Sequence, residues 1–113
     1  MSVATGARII RGHVWAVELG LPSGAEKFHV IVSSNGRNAS GYQWVHVVRL
    51  TAVRPKTHLP TVVSLPGDLP YSGWAMCDEV MPVRKHRLKR QVGVLARTTV
   101  AEIEDALRVV LAL

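Results

Sequence analysis

The stretch Glu26-Lys27-Phe28-His29-Val30-Ile31-Val32-Ser33-Ser34-Asn35 runs from a charged pair into an apolar alternation and ends in hydroxyls and an amide. Its β-branched and aromatic residues specify a strand. Period two places Lys27, His29, Ile31 and Ser33 on one face and Phe28, Val30 and Val32 on the other, read here as the core face. Gly20-Leu21-Pro22-Ser23-Gly24 before it is a loop, and Asn35-Gly36-Arg37-Asn38 with Ser40-Gly41 after it reads as another.

Outward from there, Ile9 to Leu19 reads as a strand with a bend or bulge at Gly12, and residues 1–8 as a flexible lead. Tyr42 to Thr51 is strongly strand-like and groups Val45, Val47, Arg49 and Thr51 on one face. Pro55, Pro60, Pro66 and Pro70 leave room for short strands at about Thr61 to Leu65 and Trp74 to Asp78, with Val80 to Val83 continuing the second or forming an edge. The basic run Arg84 to Arg90 precedes a further strand at Gln91 to Leu95. Thr99 and Glu102 have capping-box spacing, and Ile103, Ala106, Leu107, Val110 and Leu111 recur with helical period, with Glu104 and Arg108 as an i,i+4 pair. The expectation is a mainly β protein, a small and strongly bent sheet closed by a C-terminal helix.

At 113 residues, 48% of them apolar and 19% charged, the chain reads as a single domain over 1–113. No apolar run approaches the ~18 residues of a membrane span, and the N-terminal residues lack a signal-peptide core, so a cytoplasmic protein away from membranes is expected. The lone Cys77 allows no internal disulfide and reads as a small buried hydrophobe. Fourteen basic against eight acidic residues give a net charge of +6, which favours a polyanionic partner.

His13, His29, His46, His58 and His86 are scattered without metal-ligand spacing, so no metal is expected. No G-x-S-x-G elbow, P-loop or G-x-G-x-x-G occurs, which argues against those hydrolases and against a nucleotide cofactor. What remains is a polar set able to meet phosphate: Lys27 and His29 on one strand, Arg49 and Thr51 on another, Arg54 and Lys56 just beyond. Cleaving RNA needs little more, because the 2′-OH supplies the nucleophile. The protein must take its proton, protonate the leaving 5′-oxygen and stabilise the phosphoryl charge. A carboxylate or histidine can be the base, while lysine, arginine or a hydroxyl can hold the oxygens. Each residue also has a plainer reading: Lys27 a solvated strand end, His29 a half-buried imidazole, Glu26 a surface charge, Thr51 a strand terminator and Arg49 half of an ion pair.

The order of several short motifs resembles the MazF/PemK family of toxins from bacterial toxin–antitoxin pairs. Arg11-Gly12-His13-Val14-Trp15 with Glu18-Leu19-Gly20 is similar to its R-G-(D/E)-V-W…D-L opening, and Gly24-Ala25-Glu26 to its G-S-E loop. Leu50-Thr51-Ala52 with Leu59-Pro60-Thr61 resembles I-T-S…L-P-T, and Cys77-Asp78-Glu79-Val80 resembles C-D-Q-I. The segment from Arg87-Leu88 through Gly93-Val94-Leu95 and Ala106-Leu107-Arg108 to Leu113 is similar to the family's ending.

The resemblance implies an SH3-like, strongly curved β-barrel with a C-terminal helix, acting as a homodimer. It also implies metal-independent, sequence-specific cleavage of single-stranded mRNA to a 2′,3′-cyclic phosphate, and inhibition by a small acidic antitoxin. Thr51 matches the family's catalytic threonine, and Asp78 an acidic position that contacts RNA or assists catalysis in some relatives. Lys27 stands nearest the family's catalytic arginine, after a shortened loop, with Phe28 replacing proline; lysine keeps the charge and loses the bidentate fork. The candidate catalytic set is therefore Lys27, Thr51, His29 and Glu26, and the candidate RNA contacts are Arg49, Arg54, Lys56, Asn35, Arg37 and Asp78. Two other readings stay open: a catalytically weakened relative that still binds RNA or antitoxin, and a CcdB-like gyrase poison, whose Trp-Gly-Ile ending is replaced here by Leu-Ala-Leu.

Overall fold

Strand signals at both ends of the chain resolve into one antiparallel sheet in the computed structural model, which describes residues 8–55, 59–65 and 73–113. The strands are β1 (His13–Glu18), β2 (Glu26–Ile31), β3 (Trp44–Thr51), β4 (Val62–Ser64), β5 (Trp74–Arg84) and β6 (Leu88–Val94), in the order β4-β5-β3-β2-β1-β6. The helices are α1 (Asn35–Ala39) and α2 (Arg97–Leu111). Expectations placed on residues 1–7, Lys56, His58, Pro66 and Pro70 lie outside the described residues.

The connection from β5 to β6 sets the curvature. Four strand spacings, ~19 Å in a flat sheet, separate these strands in the order. Yet only a 3-10 turn at Lys85–Arg87 joins them, and three such residues span ~6 Å. The sheet must therefore curl until its β5 and β6 ends approach one another. The result is a strongly curled, barrel-like sheet with β4 and β6 as its edges, as the SH3-like expectation requires.

Curling buries both faces of the central strands. On one side Val14, Val30, Val48, Leu50, Ala75 and Cys77 pack against Ile103, Ala106 and Leu107 of α2. On the other, Trp15, Val17, Ile31, Val45, Val47, Val83 and Leu88 form a second core, with Ile9, Leu19 and Met81 packed against it. The expectation that only the Phe28–Val32 face is buried is thus corrected: Ile31 and His29, on the opposite face, have no exposed surface. Cys77 is buried as expected, and burial pushes its thiol pKa up to about 11, which keeps it protonated and unreactive at neutral pH.

Three local expectations change. The Asn35 loop is a short helix, N-capped by the Ser34 hydroxyl, which accepts from the Arg37 amide at 3.2 Å. Helix α2 starts three residues earlier than the Thr99 box implies, after Ala96 and without a side-chain cap; Thr99 is buried inside it. Its start is set by docking: the Leu95 amide donates to the Gly12 carbonyl at 3.0 Å, and a Cβ on Gly12 (φ +91°) would lie 2.8 Å from Val100 Cγ2. Finally, Glu104 pairs with Arg11 at 3.4 Å while Arg108 turns to Asp105 at 2.6 Å, instead of the two pairing with each other.

Gly73 brings this architecture to the end of β3. Its φ of +138° favours glycine, and a Cβ there would lie 2.1 Å from the Thr51 carbonyl oxygen. Gly73→Ala is expected to lower stability by at least ~1–3 kcal/mol and to displace Thr51, read as a lower urea midpoint and a shifted Thr51 amide resonance.

Candidate nucleic-acid interface

The β2–β3 register decides which polar residues meet. His29 pairs with Arg49, Val30 with Val48 and Ile31 with Val47. The β2–β3 pairing ends at His29 and Arg49; by alternation Lys27 shares the face of His29, and Thr51 that of Arg49. Across β3, Arg49 pairs with Met76 and Thr51 with Trp74 of β5. Directly opposed residues share a face, so Lys27, Arg49 and Thr51 belong to one face.

Each of these side chains is chemically prepared. Lys27 is exposed and has no side-chain partner among the described residues. The Val53 amide donates to Thr51 Oγ1 at 3.1 Å, which orients the hydroxyl and leaves its own proton free to donate. Arg49 donates from Nε to Glu79 Oε1 at 3.1 Å and from Nη2 to Glu79 Oε2 at 2.7 Å. This side-on fork uses two of the five guanidinium N–H groups and leaves the Nη1–Nη2 edge free. The pair raises the Arg49 pKa, and Arg49 in turn holds Glu79 below the usual carboxylate range.

Glu79 was missed by sequence reasoning. It lies in the stretch Cys77-Asp78-Glu79 that bulges out where the β3–β5 register jumps from Val48↔Val80 to Arg49↔Met76. No periodicity can signal a residue that a bulge turns toward the neighbouring strand.

The other candidates take different places. His29 is fully buried, and its Nδ1 lies 3.1 Å from the Lys27 carbonyl oxygen; read as the Nδ1–H tautomer it donates there. Burial is the main cause of its lowered pKa, with Arg49 adding to it, so the imidazole is neutral at pH 7. The half-buried imidazole of the plainer reading is fully buried, because the curled sheet covers it. Its Nε2 and the Trp15 indole nitrogen, on register-paired residues, are both buried without a partner among the described residues.

Glu26 alternates to the opposite face from Lys27 and is paired with Arg90. Asp78 accepts from the Thr61 hydroxyl at 2.6 Å and so ties β5 to the start of β4. Arg54 is exposed and unpaired among the described residues. Asn35 and Arg37 sit on α1, at the far ends of β2 and β3; Asn35 Oδ1 accepts from the Arg11 amide at 2.8 Å. Within the basic run, Arg87 and Lys89 are engaged by Glu18 and Arg90 by Glu26. Among the described residues no three His, Cys, Asp or Glu side chains converge to hold a metal ion, and no helix is long and apolar enough to cross a membrane.

A curled six-stranded sheet backed by a C-terminal helix, with a cationic and hydroxyl-bearing face at one pair of strand ends, defines a small barrel-like protein suited to phosphate contacts. A sequence model of the PemK-like, MazF-like toxins of type II toxin–antitoxin systems matches residues 10–111, and the chain belongs to that family. Among solved structures it is similar to an endoribonuclease from a mycobacterial species in complex with its cognate antitoxin, at 31% identity and TM-score 0.79, over 92% of this chain and 95% of that one. Another structure, of an endoribonuclease from a mycobacterial species, matches at 30% identity and TM-score 0.80, over 95% and 94% of the two chains. A MazE–MazF structure from Deinococcus radiodurans shares the fold, with 20% identity and TM-score 0.75 over 95% and 98%. No curated protein sequence matches the chain.

The depressed pKa of His29 makes stability pH-dependent. The unfolded state takes up a proton near the ordinary histidine pKa of about 6.5 while the folded imidazole resists it, so stability is full above that pH and falls as pH drops through the folded pKa. His29→Gln is expected to flatten most of this slope in urea melts between pH 7.5 and 5; a smaller slope of the same sign remains from His13, whose pKa burial also lowers.

Proposed function

We propose that this toxin is an endoribonuclease that cleaves single-stranded mRNA at short sequences without a metal. The observation that carries the reading is that Lys27, Arg49 and Thr51 share one face of β2 and β3 near one pair of strand ends. The Thr51 hydroxyl and the free edge of Arg49 hold the non-bridging phosphoryl oxygens, where charge builds up as the 2′-oxygen attacks. The new bond joins the 2′-oxygen to phosphorus, the bond to the 5′-oxygen breaks, and the Lys27 ammonium gives that oxygen its proton. The product is a 2′,3′-cyclic phosphate.

A carboxylate accepts the 2′-OH proton, and Glu79 shares this face whereas Glu26 does not. The ion pair keeps Glu79 ionised but weakly basic. A phosphate that draws on Arg49 loosens the pair and raises that basicity, so substrate arrival arms the base. His29 supports Lys27 from beneath as a positioning residue. Proton return from Glu79 to Lys27 through solvent completes the cycle.

The same reading includes a small acidic antitoxin, a homodimer and action in the cytoplasm, where mRNA is. Net charge favours the acidic partner. A groove of about 720 Å³ floored by Val32, Val80 and Leu107 and bordered by Leu111 and Leu113 supports association, since Leu113 is 86% exposed.

Incubating the protein with long single-stranded RNA in EDTA should give fragments ending in cyclic phosphate; intact RNA under all conditions would refute the reading. Lys27→Ala and Thr51→Ala should each slow cleavage by about 10²-fold or more, and full activity in both would remove them from the site. Glu79→Gln should separate two effects: tighter binding of a 2′-deoxy oligonucleotide, with a salt slope steeper by about one, and turnover reduced about 10²-fold.

A further inference from the structure

The opposite end of β3 carries a second surface that the cleavage site does not use. Trp44 and Thr51 bound the strand, and seven steps of ~3.4 Å set them ~24 Å apart. At the Trp44 end, α1, the 40–44 link, the end of β5 and the 3-10 turn are bonded together. The Lys85 amide donates to the Gln43 carbonyl at 2.8 Å, Lys85 Nζ donates to the Ser40 carbonyl at 2.6 Å, and Arg84 Nη1 donates to Gln43 Oε1 at 3.0 Å.

Two arginines lie on two rings in this cluster. Arg37 Cζ is 4.5 Å from the Tyr42 ring centroid and Arg84 Cζ is 4.6 Å from that of Trp44. Tyr42 is 54% exposed. Neither arginine has a carboxylate partner among the described residues, whereas Arg87, Lys89 and Arg90 in the adjoining run are all paired. The end of the molecule thus combines uncompensated positive charge with planar groups already held in place.

We propose that this cluster is a second contact surface for single-stranded RNA, on which bases stack against Tyr42 and the guanidinium planes of Arg37 and Arg84 while phosphates meet their free N–H groups. The proposal rests on the reading that the substrate is single-stranded RNA. A guanidinium held against a ring on one side offers its other face to a base and its edge to a phosphate, and the ring has already removed much of its rotamer freedom. Base stacking is tolerant of sequence, so this surface grips RNA outside the cut site without reading it. An acidic polypeptide would anchor apolar side chains in a hole; the flat, exposed Tyr42 ring and the guanidinium planes suit bases better. The separation means that only a strand of about seven stacked nucleotides or more, at ~3.4 Å each, reaches both ends.

Binding of labelled 2′-deoxy oligonucleotides, which lack the attacking hydroxyl, tests this by fluorescence anisotropy. The unmodified protein should bind a 20-mer much more tightly than a 5-mer. Arg84→Ala and Tyr42→Ala should each weaken the 20-mer by about 10-fold and leave the 5-mer nearly unchanged. Arg84→Ala should also lower the salt slope by about one, and Tyr42→Ala should not. Arg84→Lys, which keeps the charge and loses the plane, should remain weakened. Circular dichroism checks that each variant is folded. Equal affinity for both lengths, or an Arg84→Ala protein that binds the 20-mer like the parent, overturns the proposal. So does tighter, Arg84-dependent binding of a poly-glutamate peptide than of the 20-mer, which would make the surface a polypeptide site. A parent protein that cuts no RNA while its 20-mer binding depends on Arg84 and Tyr42 would sink the nuclease reading and leave this surface standing.

Discussion

The three-residue turn between β5 and β6 is the constraint on which the rest of the structure depends. It joins strands that the sheet order holds four spacings apart, and only a strongly curled sheet satisfies both conditions. Curling gives the central strands an inside on each face: one packed on α2, the other folded against itself around Trp15 and Leu88. A flat sheet of the same strands would leave the second set in water. At roughly 25 cal/mol per Å², burying that second set is a large share of the stability available to so small a chain.

Curvature also explains the division of labour within one short strand. Lys27 and His29 share a face by alternation, yet one is exposed and the other completely buried. Only two residues separate solvent from core where β2 enters the curl. Beneath Lys27 lies a neutral, fully buried imidazole whose Nδ1 meets the backbone carbonyl of Lys27 itself.

Charge is distributed with the same economy. A net +6 describes the whole chain, but much of the basic run near the 3-10 turn is neutralised by Glu18 and Glu26. The cations left unpaired by carboxylates among the described residues include Lys27 and Arg54 near one end of β3 and Arg37 and Arg84 near the other. On the proposed reading, a polyanion is held at one of these ends and cut at the other.

The sequence by itself determined the element types, since alternation over Phe28–Val32 and Val45–Thr51 and helical spacing over Ile103–Leu111 are local properties of the chain. Through the order of short motifs it also identified the family and pointed to Lys27, Thr51 and Arg49. It did not reveal α1, because five residues around Gly36 carry no usable period, nor the start of α2, which docking on Gly12 sets in place of a side-chain cap. Only the tertiary structure decided that His29 lies opposite Arg49, that His29 is sealed, that Glu79 reaches Arg49 through a bulge, and that Tyr42 and Trp44 carry arginines. Register, bulging and curvature are relations between strands distant in sequence, and period-two alternation is blind to which strand lies opposite which.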